Sequence, residues 1–167
     1  MRRTLVLGGA RSGKSRFAES LAKGVDGPKT YIATADPFDE EMRQRIARHR
    51  EQRAADGWTT IEATLEPAAA LRGAEGFILL DCVTVWLGNL MHHGRSIEKG
   101  IDSLVSALAE TRSRVVLVSN EVGLSIVPEN AMARRFRDEQ GIANQKLSGA
   151  VDEVFFIAAG LPLKLKG

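Results

Sequence analysis

The chain has 167 residues, a hydrophobic fraction of 44%, a charged fraction of 26% and a formal net charge of +2. That length suits one domain with a real core, here taken as 1–167, and so balanced a charge argues against a nucleic-acid-binding protein. The single cysteine, Cys82, excludes an internal disulfide framework and suits a reducing cytoplasm.

No run approaches the ~18 apolar residues of a membrane span. Met1-Arg2-Arg3 leads directly into Thr4-Leu5-Val6-Leu7, a short buried strand pattern rather than a signal peptide. Gly8-Gly9-Ala10-Arg11-Ser12-Gly13-Lys14-Ser15 follows and matches the phosphate-binding pattern G-x-x-x-x-G-K-[ST] at every fixed position. A helix is expected over 16–23, with Phe17 and Leu21 inward. Strand, glycine loop and helix start together cradle an anion in backbone N–H groups. Lys14 is positioned for the β- and γ-phosphates and the Ser15 hydroxyl for Mg²⁺.

Gly24 to Pro28 is a turn cluster, and Thr30 to Thr34 reads as a second strand. Asp36 and Pro37 supply a cap and a first-turn proline for a helix reaching about Ala55, with Asp39, Glu40 and Glu41 in its first turn. Met42, Ile46, His49 and Arg53 share one face of this helix at spacings of four, three and four. Only Met42 and Ile46 are apolar, so the helix suits a phosphate site better than a deep core. His49, with Arg45, Arg48, Arg50 and Arg53 around it in sequence, is either a nucleophile toward phosphorus or a histidine on a basic surface.

Trp58 to Glu62 suggests a short extended segment and Pro67 to Leu71 a brief helix stopped by Arg72-Gly73. Gly76 to Asp81 is a buried strand ending in an acid, as a Mg²⁺-binding carboxylate requires. Val83 to Met91 continues as a helix with Trp86, Leu87 and Leu90 inward, and His92-His93-Gly94 reads as a loop without the partners of a zinc site. Ile97 to Glu110 is a core-facing helix.

Arg114 to Glu121 is the next buried strand, with Ser119, Asn120 and Glu121 at its end. In a parallel sheet the ends of these strands collect Gly8 onward, Thr34, Asp81 and 119–121 on one ligand-binding edge. Gly123 to Asn130 is a loop before a helix reaching about Ser148, on which Arg134, Arg137 and Asn144 face a ligand, a second subunit or solvent. Val151 to Ala158 and Leu161 to Lys166, joined by Ala159-Gly160, make an antiparallel edge hairpin. The expected fold is therefore α/β: a mostly parallel P-loop sheet flanked by helices.

Taken together, Gly8 to Ser15, Tyr31-Ile32-Ala33-Thr34, Glu41-Met42 with Arg45-Ile46 and His49, Trp58 with Glu62, Leu80-Asp81-Cys82, Val118 to Gly123, Ile126 to Asn130, Phe136-Arg137-Asp138 and Asn144-Gln145 resemble one family. It is the bifunctional adenosylcobinamide kinase / adenosylcobinamide-phosphate guanylyltransferase family of cobalamin biosynthesis. The resemblance implies a RecA-like sheet, a homotrimer, and ATP, GTP and Mg²⁺ at overlapping sites. It also implies two reactions: phosphorylation of adenosylcobinamide, then transfer of GMP from GTP through a histidine to adenosylcobinamide phosphate.

On the motif match His49 carries GMP. Ala33, Thr34, Ala35, Arg50, Glu51, Gln52, Arg53, Glu62 and Asp81 then help to bind guanine nucleotide alongside the loop. Ser15 and Asp81 are the expected metal ligands, and Glu121 or Asp81 the base of the kinase step. Some relatives carry Glu at the position of Asp81, and some carry two histidines where this chain has Arg48-His49. The residues alone leave open a small-molecule kinase for another alcohol and a nucleotide-gated binding module.

Overall fold

The computed structural model describes residues 2–37 and 40–167, apart from the side chains of Met42, Arg45 and His49. The expectations for Asp39 and for those three side chains lie outside the described residues.

Seven strands form one sheet in the order β3-β2-β4-β5-β1-β6-β7. The strands are β1 (Arg3–Gly8), β2 (Lys29–Ala33), β3 (Trp58–Glu62), β4 (Phe77–Asp81), β5 (Arg114–Asn120), β6 (Glu153–Ala158) and β7 (Leu161–Lys166). All pairings are parallel except that of β6 with β7. The helices are α1 (Lys14–Ser20), α2 (Glu40–Ala55), α3 (Pro67–Gly73), α4 (Val83–His92), α5 (Ile97–Glu110) and α6 (Ala131–Ala150).

The period-two alternation of the strands divides the core between the two sheet faces. Leu5, Ile32, Ile78, Leu80, Val115 and Leu117 pack under α3, α4, α5 and α6, joined by Trp86, Leu87, Ile101 and Leu104. Val6, Tyr31, Leu79, Val116 and Val118 face the other way and meet Ala18 of α1 and Ala22 in the turns that follow it, with Trp58 and Phe77 alongside. Ile97, Ile101, Leu104 and Leu108 of α5 are buried, and each such side chain contributes about 1.5–3 kcal/mol of transfer free energy. The inward set expected for α4 is buried as well.

Several boundaries differ from the sequence expectation. The helix after the glycine loop is α1 over Lys14–Ser20, followed by turns to Gly24. Its last apolar spacing, at Leu21 and Ala22, belongs to 3-residue turns rather than to continued helix. α4 runs through His92, one residue into the expected loop. Cys82 is half-buried and caps α4, its Sγ accepting from the Val85 N–H at 3.3 Å.

Asn144 is buried rather than facing ligand, partner or solvent. The reason is polar satisfaction at the end of β5. The Ser119 hydroxyl donates to Asn144 Oδ1 at 2.7 Å, Gln140 Nε2 donates to both Ser119 Oγ and Asn144 Oδ1, and Asn144 Nδ2 donates to the Asn120 carbonyl at 3.1 Å. Among the described residues, no helix is long and apolar enough to cross a membrane.

Register fixes the working edge. Gly8 lies opposite Asn120, Asp81 opposite Val118, and Ala33 opposite both Asp81 and Glu62. The carboxyl ends of β1 to β5 thus bring together the residues that the strand reading assigned to one edge, as open parallel sheets do at their ligand crevices.

Candidate nucleotide and phosphoryl-transfer site

The glycine loop leaves β1 with its backbone already bent. Gly8 has φ 155° and Gly13 φ 100°, and Cβ atoms there would approach the Ile157 carbonyl oxygen to 2.5 Å and Gly160 Cα to 3.3 Å. The loop is tied at both ends. The Glu121 N–H donates to the Gly8 carbonyl at 3.0 Å, and the Gly160 N–H donates to the Ser12 carbonyl at 2.8 Å. The edge hairpin β6–β7 therefore buttresses the phosphate loop through its turn.

Lys14 is buried, and its ammonium donates to the Gly9 carbonyl at 2.6 Å. Desolvation lowers its pKa, opposed by the electrostatic influence of Cys82 and Asp81. The Ser12 hydroxyl is buried without a hydrogen-bond partner. A buried orphan hydroxyl is costly unless a ligand uses it, which fits a phosphate in this loop.

The carboxylate at the end of β4 is held on two sides. Asp81 Oδ2 accepts a hydrogen bond from the Tyr31 hydroxyl at 2.9 Å. The backbone just beyond it is clamped by Thr34, whose hydroxyl donates to the Cys82 carbonyl at 2.8 Å and accepts from the Cys82 N–H at 2.9 Å. Asn89 of α4 in turn fixes Thr34, its Nδ2 donating to the carbonyls of Thr34 and Thr64 at 2.8 and 2.9 Å. Burial raises the Tyr31 phenol, with the Asp81 charge adding to it, and burial pushes the Cys82 thiol up to about 11.

A cleft of about 350 Å³ runs from Ser15 past Asp81, Tyr31, Thr34 and Ala35 to Ile46 and Arg53 of α2. The Arg53 guanidinium carbon lies 3.8 Å from the Tyr31 ring centroid, and Arg53 Nε is buried without a protein acceptor. A second cleft of about 180 Å³ continues from Ala35 to Ile46, Arg50 and Glu62. Arg50 Nη1 meets Glu62 Oε1 at 3.2 Å, but both side chains are more than half exposed, so this pair adds little stability. It leaves the Glu62 carboxylate at the mouth of a cleft that also reaches the phosphate edge through Ala35.

The structure thus brings the glycine loop, Ala33, Thr34, Ala35, Asp81, Arg53, Arg50 and Glu62 to one edge. Gln52 lines a separate groove with Arg16, Lys23 and Lys29 as well as Arg53, and Glu51 is exposed. The Glu121 carboxylate accepts from the Gly123 N–H, and the backbone N–H of the same residue is the one bonded to the Gly8 carbonyl. His49 belongs to α2, with its side chain outside the described residues. Among the described residues no three His, Cys, Asp or Glu side chains gather for a metal. A cation here would rest on Ser15, Asp81 and nucleotide oxygens, the arrangement suited to Mg²⁺.

Sequence reasoning missed Tyr31 as a partner of Asp81, Asn89 as the anchor of Thr34, and Gly160 as the buttress of Ser12. Tyr31 carries a signal in retrospect: it alternates in phase with Ala33, whose neighbour across the sheet is Asp81.

Comparison with known proteins bears on the fold and on the family. A solved chain described as a prototypical ATPase from a bacterial type III secretion system superposes with a TM-score of 0.55. It covers 98% of this chain and 56% of that one at 14% identity, which shows the fold alone. The bifunctional adenosylcobalamin biosynthesis protein CobP of Pseudomonas aeruginosa is 45% identical over 170 residues, covering 99% of this chain and 98% of that protein. The CobU protein of Salmonella typhimurium, described in the same words, is 41% identical over 97% of this chain and 98% of its own. Residues 4–165 match the family model for cobinamide kinase / cobinamide phosphate guanyltransferase; the chain belongs to that family.

Proposed function

We propose that this chain is an adenosylcobinamide kinase and adenosylcobinamide-phosphate guanylyltransferase that runs both reactions at the carboxyl edge of its sheet. The observation that carries the reading is the convergence of Ser15 at the end of the phosphate loop, the tethered Asp81 carboxylate and Arg53 of α2 on one cleft, with Arg50 in the adjoining one, in a chain of this family.

In the kinase step the loop and Lys14 hold the nucleotide phosphates. The primary alcohol of adenosylcobinamide attacks the γ-phosphorus of ATP or GTP, the bond to the bridging oxygen breaks, and the nucleoside diphosphate leaves. Glu121, beside the loop through the Gly8 carbonyl, takes the alcohol proton. Ser15 and Asp81 would hold Mg²⁺, which would supply neutralisation of charge on the phosphates.

In the second reaction an unprotonated His49 nitrogen attacks the α-phosphorus of GTP and pyrophosphate departs. A phosphate oxygen of adenosylcobinamide phosphate then attacks the same phosphorus, the P–N bond breaks, and adenosylcobinamide-GDP forms. Imidazole suits this role as both nucleophile and leaving group. Arg53 supplies a donor for the attacked phosphate, and Glu62 with Arg50 and Ala35 frames the base in the adjoining cleft. The reading includes a homotrimer, as the family resemblance implies, and cytoplasmic work on small-molecule substrates.

The test is product analysis by mass spectrometry. Adenosylcobinamide with ATP should gain one phosphoryl group, and further addition of GTP should give the GDP adduct. Phosphorylation of unrelated alcohols with adenosylcobinamide untouched would instead favour a kinase for another substrate.

A further inference from the structure

Tyr31 does more at this edge than fill the core. The residue is 6% exposed, and its ring is gripped on several sides. Trp58 meets it edge-on at 6.0 Å and 85°, Trp58 is itself set against Phe77 at 5.8 Å, and Arg53 covers a face at 3.8 Å. A phenylalanine would satisfy all of those contacts. The hydroxyl is the unexplained part, because an interior O–H beside a carboxylate is retained at a desolvation cost unless it is used.

Its use is geometric. Tyr31 pairs with Leu79, and Ala33 pairs with Asp81, so Tyr31 reaches Asp81 along the diagonal of one sheet face, a span that an aromatic side chain covers. Thr34 already fixes the backbone at Cys82 from both sides. The freedom that remains in Asp81 lies in its side-chain torsions, and the Tyr31 hydroxyl at 2.9 Å ties down one oxygen, Oδ2. The other oxygen is thereby directed, by a ring that cannot swing.

We propose that Tyr31 is a positioning residue for the phosphoryl-transfer site: its hydroxyl orients the Asp81 carboxylate so that one oxygen serves the nucleotide-bound divalent cation. Partners in the shell behind a metal ligand set its direction, and losing one typically costs about 10–100-fold in metal affinity. The inference rests on the reading of Asp81 and Ser15 as the cation's protein ligands.

The experiment uses Mn²⁺ as the probe, titrated by electron paramagnetic resonance into protein saturated with a non-hydrolysable GTP analogue. Tyr31→Phe should weaken Mn²⁺ binding about tenfold and raise the KM for Mg²⁺ in the kinase assay by a similar factor. Its kcat at saturating Mg²⁺ should fall less than about threefold, and nucleotide affinity in EDTA should hold within about twofold, since the ring and its neighbours stay. Tyr31→Phe combined with Asp81→Asn should weaken Mn²⁺ binding no further than Asp81→Asn alone, because the hydroxyl acts through that carboxylate.

Mn²⁺ affinity unchanged in Tyr31→Phe, or losses that simply add in the double variant, would overturn the proposal. A loss of nucleotide affinity in EDTA equal to the Mn²⁺ loss would do so too, as it would mark general damage to the cleft. Failure of the nucleotide-loaded native protein to bind Mn²⁺ would overturn the metal reading and this inference together.

Discussion

Gly8→Ala is the most direct perturbation of the phosphate loop. The new Cβ would lie 2.5 Å from the Ile157 carbonyl oxygen, 2.8 Å from Ser12 Oγ and 3.3 Å from Lys14 Cγ. The Ser12 side chain can rotate away, but the Ile157 carbonyl is backbone of β6 and is paired in register with Gly8 itself. Relief therefore requires β1 and β6 to separate or the loop to shift. Overpacking of this kind costs about 1–3 kcal/mol, and the unrelievable backbone contact places this case at the upper end. At about 2–4 °C per kcal/mol for a domain of this size, Tm should fall by about 5–10 °C. Displacing the Gly8 carbonyl also disturbs its bond from the Glu121 N–H, so ATP affinity should drop at least about tenfold, the equivalent of 1.4 kcal/mol. The assay is thermal unfolding with and without ATP and Mg²⁺, alongside calorimetric titration. Gly9→Ala is the matched control, since a Cβ there meets nothing within 4 Å, and its Tm should stay within about 1 °C of the parent. Equal Tm values for the two variants would refute the claim that β6 braces the loop by close backbone approach.

Other expectations follow from single groups. Cys82, its thiol pushed up to about 11 mainly by burial, should react with iodoacetamide at pH 8 far more slowly than in the unfolded chain, because little thiolate forms below that value. The folded state favours the protonated thiol, so the stability this group contributes is present below about pH 9 and is lost as pH rises toward 11; comparable labelling of native and unfolded protein would contradict it. The Asp152 carboxyl is held below the usual range by hydrogen bonds from the Arg3 backbone N–H and side chain. Its contribution is therefore present above about pH 4 and fades as pH falls through the lower folded value, and Asp152→Asn should flatten the acid limb of a Tm-against-pH curve. Glu62→Ala, at the mouth of the cleft beside Arg50, should raise the KM for GTP by about tenfold, as loss of a charge-assisted hydrogen bond implies, and raise it more than the KM for ATP; equal changes would remove Glu62 from base recognition.

Much of this molecule is legible in its sequence because the chemistry is local. The glycine loop needs neighbouring backbone groups, and G-x-x-x-x-G-K-[ST] records them in order from Gly8 to Ser15. Strands buried on both faces read as apolar runs, and their polar last residues mark the working edge, as Asp81 and Asn120 do. Contacts between distant segments leave no such trace. Gly160 meets Ser12 because the edge hairpin folds back, Tyr31 meets Asp81 through strand register, and Asn89 reaches Thr34 from a helix on the other side of the chain's order. Asn144 shows the converse error: its place on a polar helical stripe suggested a ligand or a surface, whereas the end of β5 needed a buried hydrogen-bond partner. Helix α2 is polar nearly throughout, so periodicity could mark its functional face but could not dictate how its side chains lie.

The central claim is that one imidazole on that helix carries GMP between GTP and the phosphorylated substrate. Incubation of the protein with α-³²P-labelled GTP and Mg²⁺, without adenosylcobinamide phosphate, tests it most directly. The account predicts label on the protein that survives alkali, is released by acid as a phosphoramidate should be, is absent from His49→Ala, and is discharged by adenosylcobinamide phosphate. Label retained in His49→Ala, or an active protein that never acquires label, would contradict it.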